Sequence, residues 1–202
     1  RVHGKSTHVS TPHLGVDALY IASQIVVAVQ GLVTRRTSPT EPVIIGIGKL
    51  NAGTTYNAVA AFAEMEGTTR TISQESRDRV RAQVSETAQS IAALYGGTAE
   101  VEWTDFAAAL VNDPQVCEEA ARVVDELLGA GHVVTDRELS LSGDNFAEFE
   151  LYKPGAYAYL GTGNPDLPHT MITNHNGGFD VDENALVTGA GLYVGYTVAR
   201  LG

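Results

Sequence analysis

The sequence has few residues of several types, and each shortage excludes a class of protein. Cys117 is the one cysteine in 202 residues, so no disulfide can form within the chain and we expect a reducing, cytoplasmic setting. Lysine and arginine number 13 against 24 acidic residues, and the net charge of -11 argues against nucleic acid or an anionic membrane as a partner. No apolar run approaches the ~20 residues of a membrane span, and no signal-peptide pattern opens the chain.

Common catalytic motifs are missing as well. The sequence contains no Gly-x-Ser-x-Gly nucleophile elbow and no glycine-rich phosphate loop. The negative charges of Glu118 and Glu119 oppose formation of a thiolate at Cys117, which argues against a cysteine nucleophile. The remaining composition, 44% apolar and 18% charged, is that of an ordinary globular protein of one or two domains.

Helical and strand periods alternate in the first half of the chain. Apolar residues recur at helical spacing over 17–35, which predicts an amphipathic helix. The β-branched run 42–50 predicts a strand that closes in a turn at 51–55. Alternating residues over 58–71 predict a second strand, antiparallel to the first if a hairpin joins them.

A second helix and a last strand complete this half. Ser73 is suited to cap a helix whose apolar stripe continues to Leu94, before two glycines end it. Residues 98–103 alternate again, with Trp103 on the inward side. With residues 1–10 as an incomplete first strand, the order is β-α-β-β-α-β, which predicts a ferredoxin-like α+β domain over residues 1–104.

The second half, residues 105–202, has a different pattern. Asp113 and Pro114 are typical of a helix start, and Gly129 of its end. Glycine-rich loops and short apolar runs such as 156–160 follow, and a final helix is predicted over 183–199. Helices alternating with short strands indicate an α/β domain that belongs to a larger sheet.

Histidine is concentrated in two stretches, one of which is His3, His8 and His13. The spacing of five residues places them on different faces of a helix or strand, so the three do not form one zinc site. His8 follows a Gly-Lys turn, and side chains on such loops are frequent in catalytic sites. In the second stretch, His175 stands between two asparagines before a Gly-Gly turn, where an exposed imidazole can bind a metal.

Asn57 and Arg70 flank the second predicted strand. An amide and a guanidinium together are suited to bind a carboxylate through several hydrogen bonds. From the residues alone, a turn asparagine and a surface arginine with no shared function are the simpler explanation of the pattern.

Taken in order, these motifs resemble the second half of the amidohydrolase branch of metallopeptidase family twenty, which includes aminoacylases, hippurate hydrolases, auxin-conjugate hydrolases and N-acyl-amino-acid deacetylases. Gly4-Lys-Ser-Thr-His8 resembles the family's Gly-Lys-Gly-Gly-His, and Glu66-Gly-Thr-Thr-Arg70 its Gly-Thr-x-Arg. The remaining matches are Pro12-His13, Gly48-Lys-Leu-Asn-Ala-Gly53 with Asn57, Ser142-Gly-Asp-Asn-Phe146, and His175-Asn176 with Phe179.

The resemblance implies a fold and a function. Residues 1–104 are expected to form the lid and dimerisation domain, and residues 105–202 the C-terminal part of a zinc-exopeptidase-like α/β catalytic domain. Such enzymes hydrolyse the amide bond of N-acyl amino acids or short peptides with two divalent metal ions, zinc, or else manganese, cobalt or nickel. By resemblance, His8 polarises the scissile carbonyl in the partner's site of a homodimer. Asn57 and Arg70 bind the carboxylate, and His175 is a terminal metal ligand.

Several family positions differ or are missing here. The acid pair of the family's Ser-Glu-Asp-Phe becomes Asp144 and Asn145. The Cys/His ligand motif, the Glu-Glu pair and a further histidine have no counterpart, and the chain does not begin with Met. We therefore expect a chain that begins in the middle of an enzyme and is inactive alone. The alternatives are a non-catalytic dimerising or carboxylate-binding relative without the metal site, and an unrelated two-layer α/β domain.

Overall fold

The computed structural model describes all 202 residues, and the chain divides into two units. The first comprises residues 1–109 with 140–145, and the second residues 110–139 with 146–202.

The first unit alternates strands and helices in the predicted order. Its elements are β1 (Val2–His3), α1 (Ala18–Arg35), β2 (Ile44–Ala52), β3 (Phe62–Arg70), α2 (Gln74–Leu94) and β4 (Thr98–Ala99). The strands form one sheet in the order β2-β3-β1-β4, with antiparallel pairing throughout. This arrangement confirms the ferredoxin-like prediction.

Both long helices begin where the sequence predicts, and a side chain caps each of them, Asp17 for α1 and the predicted Ser73 for α2. The Asp17 carboxylate accepts hydrogen bonds from the first backbone N–H groups of α1, those of Leu19 and Tyr20. The Ser73 hydroxyl accepts from Ser76 N at the start of α2. Further along, Glu41 binds both the Ser76 hydroxyl and Arg79, and these hydrogen bonds lower the pKa of the Glu41 carboxyl.

The core of the first unit lies between the two helices and one face of the sheet. Helix α1 contributes Ile21, Ile25 and Val29, which meet Val2 and Ala63 of the sheet. Over its 18 residues α1 is apolar and long enough to match a membrane span, but six of its side chains, among them these three, are buried in this core.

Two predicted strands are shorter than expected. β3 begins at Phe62 rather than Ala58, because residues 58–61 bond to the segment that follows β1 instead of to β2. β4 ends at Ala99, although the alternation continues to Trp103. The Trp103 indole N–H donates to Ser85, and its ring lies under Arg81, so helix α2 holds this residue rather than the sheet.

The second unit consists of helices and loops. Its helices are α3 (Pro114–Leu128), α4 (Phe146–Glu150) and α5 (Asn184–Leu201). α3 begins at Asp113 and Pro114 and ends at Gly129, as predicted. The Asp182 side chain accepts from the first residue of α5 and from Asn164, and the Asn164 amide first, then the Asn184 backbone, lowers the pKa of this carboxyl.

The run 156–160 does not form the expected strand. A strand needs a neighbour to complete its backbone hydrogen bonds, and none lies beside this segment. The Asn112 side chain bonds instead to both the N–H and the C=O of Tyr157, at 2.9 and 3.0 Å.

Candidate functional site

The loop between β2 and β3, residues 53–61, is held against the segment 4–9 by backbone hydrogen bonds. Gly4 N donates to Ala61 O at 2.8 Å, Val59 N to Thr7 O at 2.9 Å, and Val9 N to the carbonyl of residue 57 at 3.1 Å. An isolated bridge joins His8 to Ala58. Two candidates far apart in sequence, His8 and Asn57, are therefore neighbours on a loop pair with a defined backbone.

The His8 imidazole is exposed, and Ser10 contacts one of its two ring nitrogens. The Ser10 backbone N–H donates to Nδ1 at 3.2 Å, and the Ser10 hydroxyl lies 2.7 Å from the same nitrogen. Because Nδ1 accepts a hydrogen bond from an N–H group, the proton of the neutral ring resides on Nε2. The outward-facing nitrogen is consequently a hydrogen-bond donor, which suits a group that stabilises negative charge on a carbonyl oxygen.

The Asn57 side chain is oriented in a similar way by a neighbouring hydroxyl. Thr55 Oγ1 donates to Asn57 Oδ1 at 3.1 Å. With its oxygen engaged, the amide presents its NH₂ group, which is the half that can bind a carboxylate. Sequence reasoning missed Ser10 and Thr55, although each hydroxyl stands two residues from the group it orients, a spacing common in local side-chain hydrogen bonds.

Arg70, at the end of β3, is a half-buried cation without an anion. Four arginines are half-buried in the structure. Three of them pair with a carboxylate: Arg77 and Arg81 with Asp105, and Arg79 with Glu41. Arg70 makes no ion pair. A partly desolvated guanidinium of this kind is suited to bind a ligand carboxylate.

The segment 140–145 lies beside Arg70 within the first unit. A Cβ built on Gly143 would lie 3.1 Å from the Arg70 Nη1 atom, so the guanidinium packs closely against the Gly143 backbone. Two motifs of the resemblance, the one ending in Arg70 and the one containing Gly143, thus meet in space.

The length of β3 separates Arg70 from the loop that carries Asn57. Ala52 pairs with Ala63 near that loop, whereas Arg70 pairs with Ile44 at the opposite end of the hairpin. Eight residue steps from Phe62 to Arg70 correspond to ~26 Å at ~3.3 Å per residue. One small substrate therefore cannot contact Asn57 and Arg70 of the same protomer.

A surface pocket of about 400 Å³ is lined by chain neighbours of His8 and Asn57, namely Val9, Tyr56 and Ala58, but not by His8 or Asn57 themselves. Its apolar lining includes Val9, Leu19, Tyr56 and Val59, and its polar lining comes from Asp17 and the hydroxyl residues 54 and 55. The volume falls within the ~300–1,000 Å³ range of small-molecule sites.

His175 lies in the second unit, on an exposed turn. It is the one non-glycine residue with a positive φ, 61°, a conformation that costs energy outside glycine and recurs at functional positions. The other histidine of this stretch, His169, approaches Asp180 at 3.8 Å. No group of three or more histidine, cysteine, aspartate or glutamate side chains in the chain is placed to hold a metal ion.

Comparison with known proteins identifies the family. The model of the peptidase dimerisation domain, M20_dimer, matches residues 1–95. This chain belongs to the M20 peptidase family. Thermostable carboxypeptidase 1 of Saccharolobus solfataricus is 34% identical over 94% of this chain and 47% of its own length. N-acetyl-L-cysteine deacetylase of Bacillus subtilis is 32% identical over 92% of this chain and 42% of its own.

A solved structure agrees with this assignment and with the predicted fold class. The crystal structure of a dinuclear metal binding peptidase of the M20 family from Bacillus subtilis superposes with a TM-score of 0.75 at 26% identity, over 99% of this chain and 49% of that one. This M20 chain thus spans about half the length of the relatives that it matches.

Proposed function

We propose that this chain provides the lid (residues 1–104) and the C-terminal part of the catalytic domain (residues 105–202) of a metal-dependent amidohydrolase. The substrate class is N-acyl amino acids or short peptides. The relatives' names, a carboxypeptidase and an N-acetyl-L-cysteine deacetylase, support hydrolysis of an amide bond next to a free carboxylate. The observation that carries the proposal is a pair of hydrogen-bond donors, His8 Nε2–H and the Asn57 amide. They lie on two neighbouring segments that backbone hydrogen bonds join.

The donors act on different parts of the substrate. His8 donates from Nε2 to the carbonyl oxygen, where negative charge develops as water attacks. Asn57 donates from its amide to the carboxylate. In the free protein Ser10 and Thr55 already hold both groups in the donating orientation, so little ordering is needed on binding.

Arg70 acts from the other protomer of a homodimer in this proposal. Because Arg70 lies ~26 Å from the loop of its own chain, it reaches the same substrate as His8 only when the two come from different subunits. The match to a dimerisation domain supports such a dimer. The edge position of β2 allows its sheet to continue across a two-fold axis.

The residues of this chain do not by themselves fit a two-metal site. His175 is the one ligand that we carry over, and a dinuclear centre needs several donors at each ion. We propose that the remaining ligands belong to the part of the relatives' length that this chain does not span. For the same reason, we expect the 202-residue chain alone to be inactive.

The first experiment is to read the source gene upstream of the codon for Arg1. A His-x-Cys-Gly-His-Asp type motif and a Glu-Glu pair in frame support the enzyme. A start codon next to Arg1 without them supports the alternative, a carboxylate-binding module that holds N-acyl amino acids without metal.

The second experiment tests the division of roles in the full-length protein. His8→Ala is expected to lower kcat by ~10²–10³, the scale of a lost oxyanion donor, whereas His13→Ala, on the short helix Pro12–Leu14, leaves kcat unchanged.

Mixing the inactive His8→Ala and Arg70→Ala proteins should restore about a quarter of the wild-type activity, because about half of the dimers are then heterodimers and each heterodimer has one intact site of two. No recovery, with heterodimers verified, would show that each protomer uses its own His8 and Arg70.

A further inference from the structure

Tyr56 is the most exposed large side chain among the hydrophobic residues, at 96%. It occupies the loop 53–61, whose backbone is bonded to residues 4–9, so the ring is not on a loose segment. The ring stacks on no other aromatic residue, and its hydroxyl has no hydrogen-bond partner. An aromatic ring held in solvent by an ordered loop is suited to contact a ligand rather than the core.

The ring also lines the pocket of about 400 Å³ described above. Val9 and Leu19 also line it, and both are about half exposed. These three side chains leave apolar surface uncovered at the two bonded segments that carry His8 and Asn57, although neither His8 nor Asn57 itself lines the pocket. No carboxylate or cationic side chain other than the helix-capping Asp17 lines the pocket, so an apolar group fits it better than a charged one.

The chemistry of the substrate indicates which group enters. In an N-acyl amino acid, the carboxylate and the amino-acid side chain are attached to the same carbon atom. Asn57, which binds the carboxylate in the proposed function, is oriented by Thr55, and Thr55 lines the pocket. A carboxylate at Asn57 therefore brings the amino-acid side chain within reach of Tyr56.

We propose that Tyr56, with Val9 and Leu19, forms an apolar subsite that selects the side chain of the amino-acid half of the substrate. The preferred substrates are N-acyl derivatives of leucine-like or phenylalanine-like amino acids. The proposal rests on the proposed function and adds a specificity residue to it. Tyr56 covers the side chain once the carboxylate is bound, and removing water from this contact favours larger apolar groups.

The test compares turnover of N-acetyl-L-leucine and N-acetylglycine by the full-length protein. Tyr56→Ala should lower the ratio of kcat/KM values, leucine over glycine, by ~10-fold or more, the scale of lost apolar contacts in a specificity pocket. Turnover of N-acetylglycine should stay within ~2-fold of wild type. Tyr56→Phe should keep the ratio, as should Tyr152→Ala, a control at a highly exposed tyrosine of the second unit.

Two outcomes would overturn the subsite. If Tyr56→Ala lowers turnover of both substrates equally, the ring supports the loop and does not select a side chain. If the ratio stays unchanged, the ring makes no contact with the substrate. In either case activity lost on His8→Ala would leave the proposed function standing, so the two failures are distinguishable.

A binding measurement covers the case in which no hydrolysis is found. N-acetyl-L-leucine and N-acetylglycine are titrated separately into the ¹⁵N-labelled 202-residue chain. Amide shifts over residues 53–60 should be larger with the leucine compound, and Tyr56→Ala should abolish the difference. Equal shifts with both compounds, or none, contradict the subsite independently of catalysis.

Discussion

Replacing Ile21 with alanine tests whether the core of the first unit lies where helix α1 meets the sheet. Ile21 is 0% exposed and belongs to the central cluster of buried side chains. The substitution removes three carbon atoms, each worth ~0.8 kcal/mol of transfer free energy, or ~2.4 kcal/mol in total. A residual cavity adds to this, because Ile21 Cδ1 already packs closely on the backbone of Gly97 and little can move in to fill the space. We expect the free energy of unfolding to fall by ~3–4 kcal/mol.

The one tryptophan makes this loss measurable in the first unit alone. Trp103 is held by α2, so its fluorescence during urea unfolding reports on the first unit. The urea midpoint should fall while the slope m stays constant, which indicates a change in stability rather than in the unfolded state.

The matched control is Val27→Ala on the same helix. Val27 is 70% exposed, so Val27→Ala should change the free energy of unfolding by no more than ~0.5 kcal/mol. Like Ile21→Ala, it replaces a β-branched residue of the helix with alanine, so both variants gain helix propensity. A loss at Ile21 below ~1 kcal/mol, or equal losses at both positions, would refute the proposed core.

Three further predictions concern the first unit. Asp17→Ala should reduce its free energy of unfolding by ~1 kcal/mol through the lost helix cap, measured by Trp103 fluorescence; an unchanged midpoint would contradict the capping role. Glu41→Gln should destabilise the first unit at pH 7, and the difference should shrink as pH falls below the unfolded-state pKa of 4.5 and vanish only below the lowered pKa of the folded state, where Glu41 is protonated in both states. A pH series of urea midpoints checks this, and a constant difference would count against it. Gly67→Ala should cost ~1–3 kcal/mol, since its Cβ would lie 2.4 Å from a β2 carbonyl oxygen, whereas Gly48→Ala meets nothing.

Local chemistry made much of the first unit predictable. The cap residues and the 3.6-residue period are local properties, and the structure begins both long helices where they indicate. Strand lengths were less predictable, because alternation of apolar and polar residues also occurs where no partner strand exists. Trp103 fits the alternating pattern of β4, yet it packs on α2 instead of joining the sheet.

The candidate site was only partly accessible from sequence. His8, Asn57, Arg70 and His175 were chosen through motifs, and their roles stay predictions. Which of these residues lie close together in space could not be predicted from the motifs. His8 and Asn57 are 49 positions apart in the sequence and adjacent in space, whereas Asn57 and Arg70 are close in sequence and far apart in space.

The sequence by itself determined the order of the elements in the first unit, the starts of its long helices and the family, because each depends on residues close together along the chain. Only the tertiary structure decided which candidates share a site. The extended conformation of β3 carries Arg70 away from the loop that holds Asn57, and the hydrogen bonds between residues 4–9 and 57–61 bring His8 to that loop. Such long-range pairing depends on the whole sheet, and no local pattern contains it.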